Sequence, residues 1–238
     1  MASVNGDSAA DIFFRAFKDC VDNIIYTLQN DINNPETTSS IHAIAQQLNG
    51  DYTRLTYVND VIQARIWQDE TWAPSAAVEV YRVLATEVSP ELSAPGLPMK
   101  GAYLVRYELM KTCQRQFERT MAEPTWNYGF INFLGQLCTF DKMTSTTTGI
   151  VLHILDNMVS SNALTTGDNF DLLMRFLMLA GPFLDNQPQG WEHLSVRMGQ
   201  LQERIRSCKV SVWLAVQGVM RLRGHDWQTE EEEGTCQI

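Results

Sequence analysis

Apolar residues recur at helical spacing along nearly the whole chain, and that period constrains the fold more than any other feature. Ile12, Phe13, Ala16, Phe17, Cys20, Val21, Ile24, Ile25 and Leu28 fall at i, i+1, i+4, i+5 and make one broad stripe. Asp7 or Ser8 can cap this helix, and Asn33-Asn34-Pro35 ends it. Ser39 or Ser40 opens a second helix with Ile41, Ile44, Ala45 and Leu48, and Asn49-Gly50 stops it. A third carries Leu55, Val58, Val61, Ile62 and Ile66, and a fourth opens with Pro74 near its first turn and runs to Thr86. Residues 88–98 hold Pro90, Pro95 and Pro98 and form the clearest non-helical connection.

The second half repeats the pattern. Ala102, Val105, Leu109, Cys113 and Phe117 make a stripe with Arg106, Lys111, Arg115 and Arg119 on its polar side. Pro124 starts the next helix, where Phe130, Ile131, Phe133, Leu134, Leu137 and Cys138 leave little polar face, so it should be central. Three stripes follow, on Ile150–Val159, on Phe170–Leu184 and on Trp191–Ile205, and a last one joins Val212, Trp213, Val216, Val219 and Met220. About ten helices in roughly five antiparallel pairs, each of about 40 residues, have the period of a HEAT-like helical-repeat solenoid. The expected architecture is all-α, with a single domain over 9–227 and flexible tails at 1–8 and 228–238.

Composition excludes several classes. The most apolar stretch, 172–184, is too short to span a bilayer and is interrupted by Arg175 and Pro182, so no membrane association is expected. The N-terminus lacks a basic segment followed by an apolar one, so no signal peptide is read. A net charge of −10 argues against a simple nucleic-acid binder. The charge is uneven, however: residues 1–100 hold 13 acidic side chains against 6 basic ones. Residues 192–223 carry Arg197, Arg204, Arg206, Lys209, Arg221 and Arg223 against only Glu192 and Glu203, before an acidic run at 230–233. That basic set is a candidate face for RNA or an acidic partner, the plainer reading being a solvated helix surface. The five cysteines are scattered without a CxxC pair, and Cys20, Cys113 and Cys138 read as buried thiols in a reducing compartment.

Catalytic patterns are missing from the sequence. It contains no phosphate-binding glycine loop, no HExxH and no GxSxG, and His42, His153, His193 and His225 are far apart. His153, among apolar residues, reads as a core or boundary histidine. No catalytic residue, metal site or cofactor is therefore expected, and the chain reads as a non-enzyme. Gly129, Gly135, Gly181, Gly199 and Gly218 lie inside helical patterns at roughly 1 kcal/mol each against Ala, which suggests close helix packing.

Four segments of the second half share a resemblance. Residues 104–118 (LVRYELMKTCQRQFE) resemble the FRxLLLNRCQxEFE helix of the middle domain of eukaryotic translation initiation factor 4G. Residues 130–143 (FINFLGQLCTFDKM) resemble its IKFIGELFxxxML segment, and 168–185 (DNFDLLMRFLMLAGPFLD) its acidic-start, Leu-rich helix closing on Leu-Asp. Residues 219–227 (VMRLRGHDW) resemble its closing V-x-x-LR-x-x-x-W. The segments occur in the family's order over about 103–227; residues 9–86 fit only by periodicity. Lys111-Thr112-Cys113-Gln114 departs from the family's Asn-Arg-Cys-Gln, and the short connection 119–128 is closer to the small adaptors that share the domain.

The resemblance implies a non-enzymatic scaffold or adaptor in translation initiation or mRNA metabolism, cytoplasmic or also nuclear. Its implied partner is a DEAD-box RNA helicase of the initiation factor 4A type, whose lobes it would hold in one orientation. In the family such contacts lie on loops within repeats, which match 139–144 and 185–191 here and single out Phe140, Asp141, Lys142, Met143, Asp185 and Asn186. The plainer reading of Phe140 and Met143 is that they staple adjoining helices. The alternative function is an RNA-binding or protein-adaptor solenoid that links cap-binding, poly(A)-binding or stem-loop-binding proteins without helicase contact.

Overall fold

The computed structural model describes residues 8–28, 35–48, 50–72, 76–138, 145–206 and 208–228. The protein is all-α: the described residues form ten α-helices and one short 3-10 turn, with no strand among them. The helices are α1 (Ala9–Thr27), α2 (Pro35–Leu48), α3 (Tyr52–Gln68), α4 (Ala76–Glu87), α5 (Gly101–Ala122), α6 (Tyr128–Leu137), α7 (Ser145–Ser160), α8 (Asn169–Asp185), α9 (Gly190–Ile205) and α10 (Val210–Gly224). They divide into two compact units, Met1–Gln114 and Arg115–Ile238, with the boundary inside α5.

The helix starts follow local chemistry, twice differently from the sequence reading. At α1, Ser8 accepts from the Asp11 amide while Asp11 accepts from the Ser8 amide, a reciprocal capping box. Helix α2 begins at Pro35 rather than at Ser39 or Ser40, because proline's fixed φ and missing N–H suit the first helical position. Helix α6 begins at Tyr128, not at Pro124, because the Asn127 side chain accepts from the Phe130 amide at 2.8 Å. Pro74 lies outside the described residues.

In the first unit the closest helix pairings join alternate elements, α1 with α3 and α2 with α4. Val21 and Ile25 of α1, Ile41, Ile44 and Leu48 of α2 and Leu55, Val58, Ile62 and Ile66 of α3 are all buried. Helix α4 buries most of its circumference, through Ala76, Ala77, Val78, Val80, Tyr81, Val83, Leu84 and Ala85, and leaves one polar stripe of Glu79, Arg82 and Thr86 unburied. A buried polar chain crosses this core: Gln63 Nε2 donates to Tyr81 Oη at 3.0 Å, Tyr81 donates to Asn59 Oδ1 at 2.7 Å, and Asn59 Nδ2 donates to Thr112 Oγ1 at 3.0 Å. It ties α3, α4 and α5 in one register. The proline-rich connection 88–98 is a loop, as expected, and it closes on itself through a Ser93–Lys100 bridge with Leu92 fully buried. At its end Gly101 takes φ +53°, and a Cβ there would press on the Pro90 backbone.

The second unit also pairs alternate helices, α6 with α8, α7 with α9 and α8 with α10. Helix α6 is buried almost throughout, as its sequence demands. Fully buried Asn169, at the start of α8, accepts from the Trp126 amide at 2.7 Å and donates to the carbonyls of Pro124 and Ala163 at 2.8 Å. One amide side chain thereby satisfies the backbone of the loop before α6 and of the 3-10 turn before α8.

Candidate functional site

Phe140, Asp141, Lys142 and Met143, the first group of candidate contacts, lie outside the described residues. The second group, Asp185 and Asn186, sits at the C-terminal end of α8. Asn186 Nδ2 donates to the Pro182 carbonyl at 2.8 Å and closes the last turn of that helix.

Asp185 is the centre of a polar clasp. Arg223, near the end of α10, donates to it from Nε at 2.9 and 3.1 Å and from Nη2 at 2.7 Å. Trp227 Nε1 donates to its other face at 2.8 Å. Arg223 Nη2 also donates to the Trp191 carbonyl and to Ser195 Oγ, each at 2.9 Å, so the guanidinium joins α8, α9 and α10. Paired charges in a fork geometry make strong, directional contacts. The Asp185 side chain is 17% exposed and that of Arg223 15%, so this carboxylate is committed inward rather than offered to a partner.

The backbone after α10 is shaped to deliver Trp227. Asp226 and Trp227 take φ +51° and +64°, an uncommon pair for residues other than glycine, and the Trp227 amide donates to the Leu222 carbonyl at 2.7 Å. The indole then lies against α8 at Gly181, where a Cβ would collide with the ring. Gly181 and Gly135, whose Cβ would meet Leu179 at 2.9 Å, are therefore close-packing glycines as read from the sequence. Gly199 and Gly218 are not, since a Cβ at either meets nothing within 4 Å.

The six basic residues do not form one open face. Arg223 is bound in the clasp. Arg197 Nε is paired with Asp156, which also accepts from His193 Nε2 at 2.7 Å. Burial pushes the Asp156 carboxyl up, but the hydrogen bonds from Arg197 and His193 outweigh it and hold it below its ordinary range. Arg204 donates through both terminal nitrogens to the carbonyls of Val159 and Ser161, satisfying the end of α7. Arg206 is exposed and meets Glu203 at 3.2 Å. Lys209 and Arg221 are exposed at opposite ends of α10.

Other residues also fall elsewhere than expected. His153 is exposed, on the outer side of α7, where Asn157 hydrogen-bonds its ring. Cys20 is half-buried, whereas Cys113 and Cys138 are buried and burial pushes both thiols up to about 12. Sequence reasoning gave no site role to Asp156, to Trp191, which it placed on an apolar stripe, or to Trp227, the last residue of the 219–227 segment. Trp191 is 61% exposed beside the clasp, with the Arg223 guanidinium 5.6 Å from its ring centroid. Its sequence signal, the first position of an apolar stripe, pointed to burial instead. Among the described residues no group of His, Cys, Asp and Glu is arranged to hold a metal ion, and no described helix is long and apolar enough to cross a membrane. No known family model and no curated protein matches this sequence.

Proposed function

We propose that this protein is a HEAT-like helical-repeat scaffold of the initiation-factor-4G middle-domain type that binds a DEAD-box RNA helicase of the initiation factor 4A type. The observation that carries the reading is the clasp. Residues 168–185 and 219–227, two of the four segments that resemble the family, converge on the same ion pair, so Asp185, Arg223 and Trp227 have a shared structural reason to occur together. The alternate-helix pairing in each unit supports it further, because stacked helix pairs pack that way.

Such a scaffold acts in the cytoplasm on mRNA and needs no catalytic group of its own. It raises helicase turnover by binding one arrangement of the two lobes more tightly than others, and the size of the effect equals that difference in affinity. The contact residues on this reading are those of segment 139–144, with Phe140 and Met143 as apolar anchors and Asp141 and Lys142 setting register. The α8–α9 corner acts through Trp191 and not through the internally paired Asp185.

The test is ATPase stimulation and co-elution with initiation-factor-4A-type helicases. Stimulation should fall about tenfold or more for Phe140→Ala with Asp141→Lys. No binding to any helicase of this type would sink the proposal. An RNA contact has fewer free cations than the sequence suggested, and Arg206→Glu with Arg221→Glu should abolish any salt-sensitive RNA affinity.

A further inference from the structure

Helix α10 packs against α8 and α9 with Val216 and Val219 buried. Its opposite face carries Val210, Trp213, Leu214, Gln217, Gly218 and Arg221, at the i, i+3, i+4, i+7, i+8, i+11 spacing of a single helical stripe. Val210 is 72% exposed, Trp213 46% and Leu214 57%. A helix face turned to water is ordinarily polar. This one turns a tryptophan and two aliphatic side chains outward. The exposed charges at the two ends of that stripe, Lys209 and Arg221, are both positive. Of the five basic side chains within 204–225, Arg204 and Arg223 are bound internally and Arg206 meets Glu203, which leaves Lys209 at one end of the stripe and Arg221 at the other.

We propose that the outer face of α10 is a docking site for an acidic amphipathic helix of a partner protein. Val210 to Arg221 spans about 16 Å along the axis, so the matching segment is about three turns long. It lays apolar side chains at helical spacing over Trp213, Leu214 and Val210, and it carries carboxylates at both ends, against Lys209 and Arg221. Charge selects this occupant over the others. A second copy of the same face, parallel or antiparallel, would set cations against cations at both ends of the stripe. An anionic bilayer would face a protein of net charge −10, whose repulsion acts over the whole docked surface, whereas a short helix meets only the local cations within a Debye length of about 8 Å. The phosphate backbone of RNA offers nothing for Val210 and Leu214 to bury. The proposal stands on this face alone and does not depend on helicase binding.

The test uses the full chain and three fluorescein-labelled synthetic peptides, each about 16 residues long so that a helix can form on binding. All share the same Leu and Trp anchors and differ only at their ends, which carry Glu, Gln or Lys. Fluorescence anisotropy should rank affinity Glu over Gln over Lys, with about tenfold or more between the extremes. Trp213→Ser with Leu214→Ser should weaken the Glu peptide by about tenfold. Lys209→Glu with Arg221→Glu should invert the ranking, an outcome that misfolding cannot produce. Equal binding of the Glu and Lys peptides, or affinities untouched by the variants, overturns the proposal. So does a dimer that dissociates on Trp213→Glu, which would give the face to a second copy. Binding to phosphatidylserine vesicles that Trp213→Ser abolishes would give it to a membrane and overturn the proposal as well.

Discussion

Removing the Asp185 carboxylate should loosen α10 specifically, and the clasp geometry sets the size of the effect. Asp185 accepts three bonds from Arg223 at 2.7, 2.9 and 3.1 Å and one from Trp227 Nε1 at 2.8 Å. Breaking a fully buried ion pair by deleting one partner costs about 3–5 kcal/mol, while an exposed pair contributes about 0–1 kcal/mol. With the two side chains 17% and 15% exposed, the pair lies nearer the buried limit. Asp185→Ala should therefore cost about 3 kcal/mol, part of it from the orphaned indole N–H. Arg223→Ala should cost more than the pair itself, because Arg223 also holds the Trp191 carbonyl and Ser195. A double-mutant cycle on Asp185→Ala and Arg223→Ala removes those extra contacts and should return a coupling of about 2 kcal/mol. The assay is urea unfolding of the four proteins, combined with amide hydrogen exchange. Since α10 is held to α8 through this clasp, exchange in α10 should rise by roughly 100-fold in Asp185→Ala, with a much smaller rise in α6. A coupling below about 0.5 kcal/mol, or exchange that rises equally in α6 and α10, would refute the argument.

Gly181→Ala should destabilise by about 1–3 kcal/mol through the displaced Trp227 ring, and the penalty should shrink in a Trp227→Ala background. Gly199→Ala, with open space around its Cβ, should instead raise stability by up to about 1 kcal/mol; thermal melts of both variants give opposite signs or the packing account is wrong. Tyr81→Phe should cost about 1–3 kcal/mol in urea unfolding, because it leaves the buried Asn59 Oδ1 and Gln63 Nε2 without their partner. Asp156 titrates below its ordinary range in the folded protein, so its contribution is fully present above the unfolded carboxylate pKa and is lost as pH falls through the lowered value. Acid unfolding below about pH 4 should thus be shallower for Asp156→Asn than for the unaltered protein, and parallel curves would exclude the ion pair as the cause.

Helix existence was legible because burial on a helix imposes a 3.6-residue period directly on the order of side chains. The stripes from Phe17 to Leu28 and from Phe170 to Leu184 mark α1 and α8, although Ile12 and Phe13 at the start of the first stripe are exposed, and the near-continuous apolar run at 130–138 marks α6 as central. Helix starts were less legible where several residues competed for one role. Pro35 ends one helix in the sequence reading and begins the next in the structure, since a proline that cannot continue a helix is also well suited to open one. Asn127 displaced Pro124 at α6 because an acceptor side chain satisfies an amide that proline merely does not add to.

The basic set at 197–223 shows the limit most clearly. Six cations and two acids over 192–223 looked like an open face, but charge counts carry no information about partners distant in sequence. Asp156 reaches Arg197 from α7, Asp185 reaches Arg223 from α8, and the carbonyls of Val159 and Ser161 hold Arg204. Composition and period by themselves determined an all-helical protein with its apolar stripes, its central α6 and its proline-rich connection, because those follow from interactions between near neighbours in sequence. Only the tertiary structure decided which charges remain free, why Gly181 needs to be glycine, and that α10 turns Trp213 and Leu214 outward. Each of these depends on atoms that distant parts of the chain bring, or fail to bring, into contact.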